Sequence, residues 1–97
     1  ELLVTTLGIA AGPTQFRLDV YPDPGDGMIH IAITGIRGEV QAELLDLLGR
    51  SVTHQRWSSG SDGAVRETMD FRHAPRGVYL LRITHRDGII MRKVVRR

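Results

Sequence analysis

Apolar and polar residues alternate along most of this chain, the pattern of β-strands with one buried face. The stretch 29–34 is the clearest case, with Ile29, Ile31 and Ile33 separated by His30 and Ala32. Successive side chains of a strand point to opposite faces, so such a stretch predicts a half-buried strand. Strong and weak stretches together predict seven strands, at residues 16–21, 29–34, 40–45, 51–57, 64–71, 78–85 and 89–95.

Clusters of Gly, Pro, Asp and Ser separate the predicted strands at short, regular spacing. Asp87-Gly88 is a two-residue hairpin signal because both residues tolerate positive φ. Seven short strands with such turns predict an all-β sandwich of antiparallel strands in one domain. A helix is the competing prediction for residues 40–48, but the alternation there and Gly49 favour a strand. Residues 1–15 are predicted to be a linker or a first strand, before a domain at 16–97.

Composition excludes several classes of site. The 97 residues contain no Cys, so disulfides, thiolate zinc sites and cysteine nucleophiles are excluded. No apolar run reaches the roughly 20 residues of a transmembrane helix. The first residues lack Met and the basic flank of a signal peptide, so we expect the chain to be a fragment of a longer protein.

Charge is unevenly distributed along the sequence. Residues 1–71 contain five basic and ten acidic side chains, whereas residues 72–97 contain eight basic and one acidic. This asymmetry predicts a basic patch that favours anionic partners. The last two strands are expected to form a cationic hairpin at a free end, so that residues 93–97 could be removed with the fold largely intact.

No pattern of catalytic or metal-binding residues is present. The four histidines lack metal-ligand spacing and are expected at the surface, and the aspartates lack an EF-hand pattern. No hydrolase elbow, P-loop or dinucleotide fingerprint occurs. We therefore predict a protein that is not an enzyme, with no catalytic residue, no metal and no cofactor. Trp57, the only tryptophan, is expected in the core.

Three turns have physical signatures of their own. In residues 21–27, prolines fix φ and glycines permit positive φ, which predicts a rigid loop. In residues 46–50, Asp46 is expected to accept backbone hydrogen bonds, and Gly49 to be left-handed. In residues 75–79, Gly77 permits a sharp entry into a strand, and Tyr79 is expected to pack at the core margin with its hydroxyl bonded.

These turns occur in an order that resembles the C-terminal sorting domains of the type IX secretion system. Tyr21-Pro22-Asp23-Pro24 followed by Gly27 resembles the family's Tyr-Pro-Asn-Pro-x-x-Gly opening, with Asp in place of Asn. Asp46–Arg50 resembles its Asp-x-x-Gly-Arg turn, and Pro75–Tyr79 its Pro-x-Gly-x-Tyr strand. The ending Lys93–Arg97 resembles its basic, valine-rich close.

The resemblance implies an immunoglobulin-like sandwich that sorts a larger cargo protein and performs no chemistry. The implied partners are an outer-membrane translocon or shuttle, a sortase-like peptidase, anionic lipopolysaccharide and a cargo domain before residue 1. The implied location is the secreted or cell-surface fraction of a Gram-negative, Bacteroidota-type bacterium. The implied recognition residues are Tyr21, Pro22, Pro24, Gly27, Asp46, Gly49, Arg50, Gly77, Tyr79, Lys93, Arg96 and Arg97.

Two other functions are compatible with the sequence. One is a carbohydrate-binding or other accessory β-sandwich module of a secreted glycosidase, which would require an exposed Trp57. The other is nucleic-acid binding, which the scattered arginines and five aromatic residues do not favour. Nucleic acid is therefore not among the predicted partners.

Overall fold

A computed structural model describes residues 2–6, 17–22, 27–86 and 88–96 of the chain. All regular structure in these residues is antiparallel β, so the all-β prediction is confirmed. The seven predicted strands are present, and residues 2–6 add another. The strands are β1 (Leu2–Thr6), β2 (Arg17–Pro22), β3 (Met28–Thr34), β4 (Glu39–Asp46), β5 (Ser51–Ser58), β6 (Val65–Asp70), β7 (Gly77–His85) and β8 (Gly88–Arg96).

The strands form two sheets packed face to face. One sheet has the order β1-β8-β7-β4-β5, and the other has the order β2-β3-β6. Consecutive strands β3 and β4 lie in different sheets, as do β5 and β6 and also β6 and β7. This arrangement is compatible with an immunoglobulin-like sandwich.

The core lies between the two sheets and follows the alternation in the sequence. Ile29, Ile31 and Ile33 of β3 face Leu81 and Ile83 of β7, and all five side chains are buried. Branched side chains of this kind pack well on a pleated surface. Trp57 is buried in the same cluster, as predicted.

Residues 39–46 form a strand, as the alternation predicts, and the competing helix is not formed. Val40, Ala42 and Leu44 are fully buried on one face of β4, a period of two that no helix produces. The register shifts between Leu44 and Leu45, where β4 pairs with β5. After this bulge Leu45 is also buried, although it lies outside the main core cluster.

Two predictions about the last hairpin and the histidines need correction. Gly88 is the first residue of β8 and pairs with His85, so it is not a turn residue; Asp87 lies outside the described residues. His85 is buried rather than exposed, because it continues the inward-facing set of Tyr79, Leu81 and Ile83 on β7.

The two ends of the sandwich are built from different connections. The β2–β3, β4–β5 and β6–β7 connections and the end of β8 lie together, and we call this the motif end. The strand register shows that these segments are neighbours, because Gly77 pairs with Arg96, Asp46 with Tyr79, and Met28 with Asp70. The β3–β4 and β5–β6 loops and the β7–β8 hairpin form the opposite end, the distal end.

Candidate recognition site

An exposed aromatic ring, that of Tyr21, lies near the end of β2, just before the β2–β3 connection. Tyr21 is 51% exposed, and its ring stacks on that of His30 with centroids 5.3 Å apart and an interplanar angle of 21°. The residues pair directly across β2 and β3. Stacking between directly opposed residues holds the ring in place. Pro22 ends β2 opposite Ile29, whereas Pro24 lies outside the described residues.

Gly27 ends this connection in a conformation and a space that both require glycine. Its φ is +79°, and a Cβ there would lie 2.6 Å from Cγ of Arg72 and 3.2 Å from Nε of Arg96. Its carbonyl accepts a hydrogen bond from the Phe71 amide at 2.8 Å. Gly27 thus lies directly against the β6–β7 loop and the end of β8.

Asp46 organises the β4–β5 turn as its position in the sequence predicts. Its Oδ1 accepts hydrogen bonds from the amides of Leu48 and Arg50, both at 2.9 Å, and its Oδ2 accepts one from Nε of Arg50 at 2.8 Å. Hydrogen bonding from the Arg50 amide is the largest cause that holds the pKa of Asp46 below its ordinary value. Gly49 has the predicted left-handed conformation, with φ +84°.

Tyr79 fixes the β6–β7 corner from inside. Its ring is buried and meets that of Phe71 edge to face, with centroids 5.7 Å apart. Its hydroxyl donates to the Pro75 carbonyl four residues upstream, as in the tyrosine corner of immunoglobulin-like domains. The expected bonded hydroxyl is confirmed, and the ring lies deeper than the core margin. Gly77 begins β7 at φ +153° and pairs with Arg96.

The end of β8 is not a free cationic tail. The strand lies between β1 and β7, and Val94 is fully buried. Arg92 donates to the Leu18 carbonyl of β2 at 3.3 Å, and Arg96 donates to the Ala74 carbonyl in the β6–β7 connection, so both guanidinium groups are bound to other segments of the sandwich. Lys93 lies on the other face of β8, away from the core, and pairs with Leu80 of β7. Because β8 is paired on both sides, we now expect that removal of residues 93–97 would disrupt the fold instead of leaving it intact.

The basic third of the sequence does not form one basic patch. Arg82 pairs with Glu43 on the outer face of the larger sheet, and Arg72 pairs with Asp70. Arg76 and Arg86 flank the nine residues of β7, so they are separated by roughly 30 Å, nearly four times the screening length of about 8 Å at physiological salt. Charges so far apart act separately, which corrects the single patch expected from the sequence.

The structure brings most of the predicted recognition residues to the motif end. Gly27 contacts Arg96, Arg96 pairs with Gly77, and Asp46 pairs with Tyr79. Four segments that are far apart in the sequence are thus neighbours in space. Lys93 lies three residues before the last described residue of β8, and Arg97 lies outside the described residues.

The motif end also contains an ion pair that the sequence analysis missed. Asp70 accepts hydrogen bonds from the amide and Nε of Arg72, both at 3.0 Å, and from its Nη2 at 2.7 Å. Side-chain hydrogen bonding from Arg72 is the largest cause that lowers the pKa of Asp70 to about 2. An Asp two residues before an Arg at the end of a strand is the signal that could have identified this pair.

The described residues contain neither a candidate metal cluster nor a membrane-spanning helix. Among them, no three His, Asp or Glu residues lie together as a metal site would require. None of the described segments forms an apolar helix long enough to cross a membrane. Asp46 and Asp70, the described carboxylates of the motif end, are bound by arginines and backbone amides.

Comparison with known protein families identifies the family of the chain. The model of the secretion system C-terminal sorting domain matches residues 19–97, which covers most of the chain. The chain belongs to this family. The family is that of C-terminal sorting signals for type IX secretion, which are non-catalytic domains of secreted proteins from Bacteroidota-type bacteria. No curated protein and no solved structure matches the chain significantly.

The match gives the sorting domain its general partners. A type IX sorting signal interacts with the secretion machinery and is carried by a parent cargo protein. The matched range begins in β2 and includes every predicted recognition residue. The match assigns no individual role to any of those residues.

Proposed function

We propose that the sorting domain delivers a larger cargo to the cell surface and that the motif end is the surface the machinery recognises. The observation that carries this proposal is the convergence of the family's four sequence motifs at one end of the sandwich. Among the described residues of these motifs, Gly27 and Gly49 are left-handed, and the turns at Asp46–Arg50 and Pro75–Tyr79 are held by hydrogen bonds. A rigid surface loses little conformational entropy on binding, which suits recognition.

Within the motif end, the residues divide into those that shape the surface and those available for contact. Gly27, Asp46, Gly49, Gly77 and Tyr79 fix backbone conformations or fill the interior. Tyr21 and Arg50 present side chains that a partner can reach, since Tyr21 is 51% exposed and the Arg50 side chain is 74% exposed. Lys93 is half-buried on the outer face of β8. We therefore assign direct recognition to the second group and support of the surface to the first.

Two arginines at opposite ends of β7 provide a matched test of this assignment. Arg76 and Arg86 are both exposed, and neither forms an ion pair with another described residue. Each would be changed to Glu in the full chain fused to a periplasm-directed reporter in a type IX-competent bacterium. We expect Arg76→Glu to reduce export of the reporter several-fold and Arg86→Glu to leave it unchanged.

Thermal unfolding of both variants is the control, since a charge reversal at an exposed site changes stability little. Equal export of the two variants would contradict recognition at the motif end. Reduced export of Arg86→Glu alone would instead place recognition at the distal end.

Processing by a sortase-like peptidase is proposed between residues 6 and 15, ahead of β2. Since β1 pairs with β8 over five residue pairs, a cut there would leave β1 bound to the sandwich through its ladder. Release of the cargo would then require this ladder to open. Mass spectrometry of the mature cargo would locate the cut, and a cut after residue 16 would contradict the proposal.

The structure favours neither alternative function. The carbohydrate-binding alternative depended on an exposed Trp57, but Trp57 is buried and its Nε1 donates to the Gln55 side chain at 2.9 Å. Among the described aromatic residues, Tyr21 alone is exposed, whereas sugar platforms use several rings. Nucleic-acid binding would need a continuous basic surface, which the separated arginines do not form.

A further inference from the structure

The tip of the β4–β5 turn exposes two neighbouring leucines. Leu47 is 67% exposed and Leu48 is 79% exposed, the largest values among the large hydrophobic residues that the structure describes. Single exposed apolar residues are ordinary at protein surfaces, but an adjacent pair at the tip of a projecting turn is not. Neither side chain contributes to the core cluster, so folding gives no reason for the pair.

The turn holds these leucines in one fixed arrangement. Besides the side-chain bonds of Asp46, its amide donates to the Arg50 carbonyl at 2.9 Å and its carbonyl accepts from the Gly49 amide at 3.0 Å. Together with the left-handed Gly49, these bonds fix the backbone on both sides of the pair. A partner would therefore order only two side chains on binding, at a small entropic cost.

We propose that Leu47 and Leu48 insert into an apolar socket with an acidic rim on an outer-membrane component of the secretion machinery. The acidic rim follows from Arg76, an exposed arginine that forms no ion pair with another described residue and that precedes the strand paired with the end of β4. Asp46 and Gly49 are positioning residues in this assignment. Arg50, which is bound to Asp46, stays among the contact residues beside the two leucines. The inference rests on the proposed function, since it names the contact within the motif end.

The size and rigidity of the tip favour this occupant over two others. Two leucine side chains offer at most a few hundred Å², whereas a stable dimer buries about 800 Å² on each partner, so tip-to-tip pairing of two copies would be too small. A lipid surface is fluid and does not require a fixed geometry of the inserted residues. A shaped socket uses the fixed geometry, and a small contact suits a signal that must be released after export.

Direct binding to the purified outer-membrane translocon complex of a type IX-competent bacterium tests the inference. The full chain would be compared with a Leu47→Ser/Leu48→Ser variant. We expect the dissociation constant to rise at least about tenfold, as for the loss of central apolar anchors of an interface. A Leu47→Met/Leu48→Met variant keeps the apolar volume and should bind like the unchanged chain.

Ile89→Ser is the matched control, since Ile89 is 47% exposed on β8 beside the distal end. This variant should bind like the unchanged chain. Thermal unfolding of all variants would show that the exposed substitutions leave the fold intact. Binding of the serine variant at full strength, or equal weakening by Ile89→Ser, would overturn the inference.

Two further measurements distinguish the socket from a lipid surface and from a second copy of the chain. The export assay distinguishes failure of this inference from failure of the proposed function. Leucine-dependent binding to vesicles of equimolar phosphatidylglycerol and phosphatidylethanolamine without binding to the complex would overturn the socket in favour of a lipid surface. Leucine-dependent self-association in analytical ultracentrifugation would overturn it in favour of a second copy. If the unchanged chain binds the complex and exports a reporter but the leucines do not matter, only this inference fails; if the unchanged chain fails to export, the proposed function fails with it.

Discussion

At the residue scale, the motif end depends on side chains and glycines whose surroundings allow few substitutes. Gly27, Asp46, Asp70 and Tyr79 each satisfy a particular backbone conformation or hydrogen bond. Their contributions can be separated by conservative substitutions. The distal end provides a control, since Gly38 there has a similar φ and an added Cβ would meet nothing within 4 Å.

Gly27→Ala and Gly38→Ala compare crowding with backbone strain. Both glycines have a left-handed φ, +79° and +85°, but an added Cβ meets Arg72 at Gly27 and nothing within 4 Å at Gly38. We expect Gly38→Ala to cost about 1 kcal/mol and Gly27→Ala about 2–3 kcal/mol in the free energy of unfolding. Chemical denaturation measures both. Equal losses would show that Arg72 and Arg96 move aside freely.

Tyr79→Phe tests the corner hydrogen bond without removing the buried ring. The variant leaves the Pro75 carbonyl without its donor, and we expect a loss of about 1 kcal/mol in the free energy of unfolding. Tyr79→Ala also removes the ring from the core and should cost considerably more. A phenylalanine variant as stable as the unchanged chain would indicate that water replaces the hydroxyl at no cost.

Acid should weaken the motif end through its two bonded aspartates. The folded-state pKa of Asp70 is lowered from 3.8 to about 2, and that of Asp46 is also lowered, so both stabilise the fold above their unfolded pKa values. This stabilisation is lost as the pH falls from about 4 toward 2. Both groups are at the surface, which keeps the effect small. Melting temperatures across this range should fall less steeply in Asp70→Asn than in the unchanged chain.

At the element scale, strands were predictable from the sequence, and the roles of their ends were not. The period of two in residues 29–34 and 40–45 fixed β3 and the part of β4 before its bulge, because one face of each strand packs against the other sheet. Asp46 and Gly49 predicted their turn because their hydrogen bonds are local. Arg92 and Arg96 were misjudged because strand order decides their neighbours, and the sequence does not reveal that β8 lies between β1 and β7.

Truncation of β8 shows what this strand order means for stability. Removing residues 93–97 would delete the fully buried Val94 and the strand residues that pair with Gly77–Leu80. We expect the truncated chain to lose its cooperative thermal transition, since a buried strand is missing from the larger sheet. Lys93→Ala, on the outer face, should melt close to the unchanged chain. A cooperative transition in the truncated chain would contradict this role for β8.

At the scale of the whole molecule, the sandwich gathers distant motifs at one end. The family match shows that the chain is a sorting signal for type IX secretion, and the fold shows where the described residues of its motifs lie. The location of the motif end could not be read from the sequence, because it depends on which strands pair. The expectation of one basic patch failed for the same reason, since Arg76 and Arg86, which flank β7, lie at opposite ends of the sandwich.

Export of a reporter tests the central claim most directly. The full chain would be fused behind a periplasm-directed reporter and expressed in a type IX-competent bacterium and in the same strain without its outer-membrane translocon. The account predicts that the reporter reaches the cell surface or the medium in the competent strain and remains in the periplasm of the deletion strain. Retention in the periplasm of both strains, or equal export from both, would contradict it.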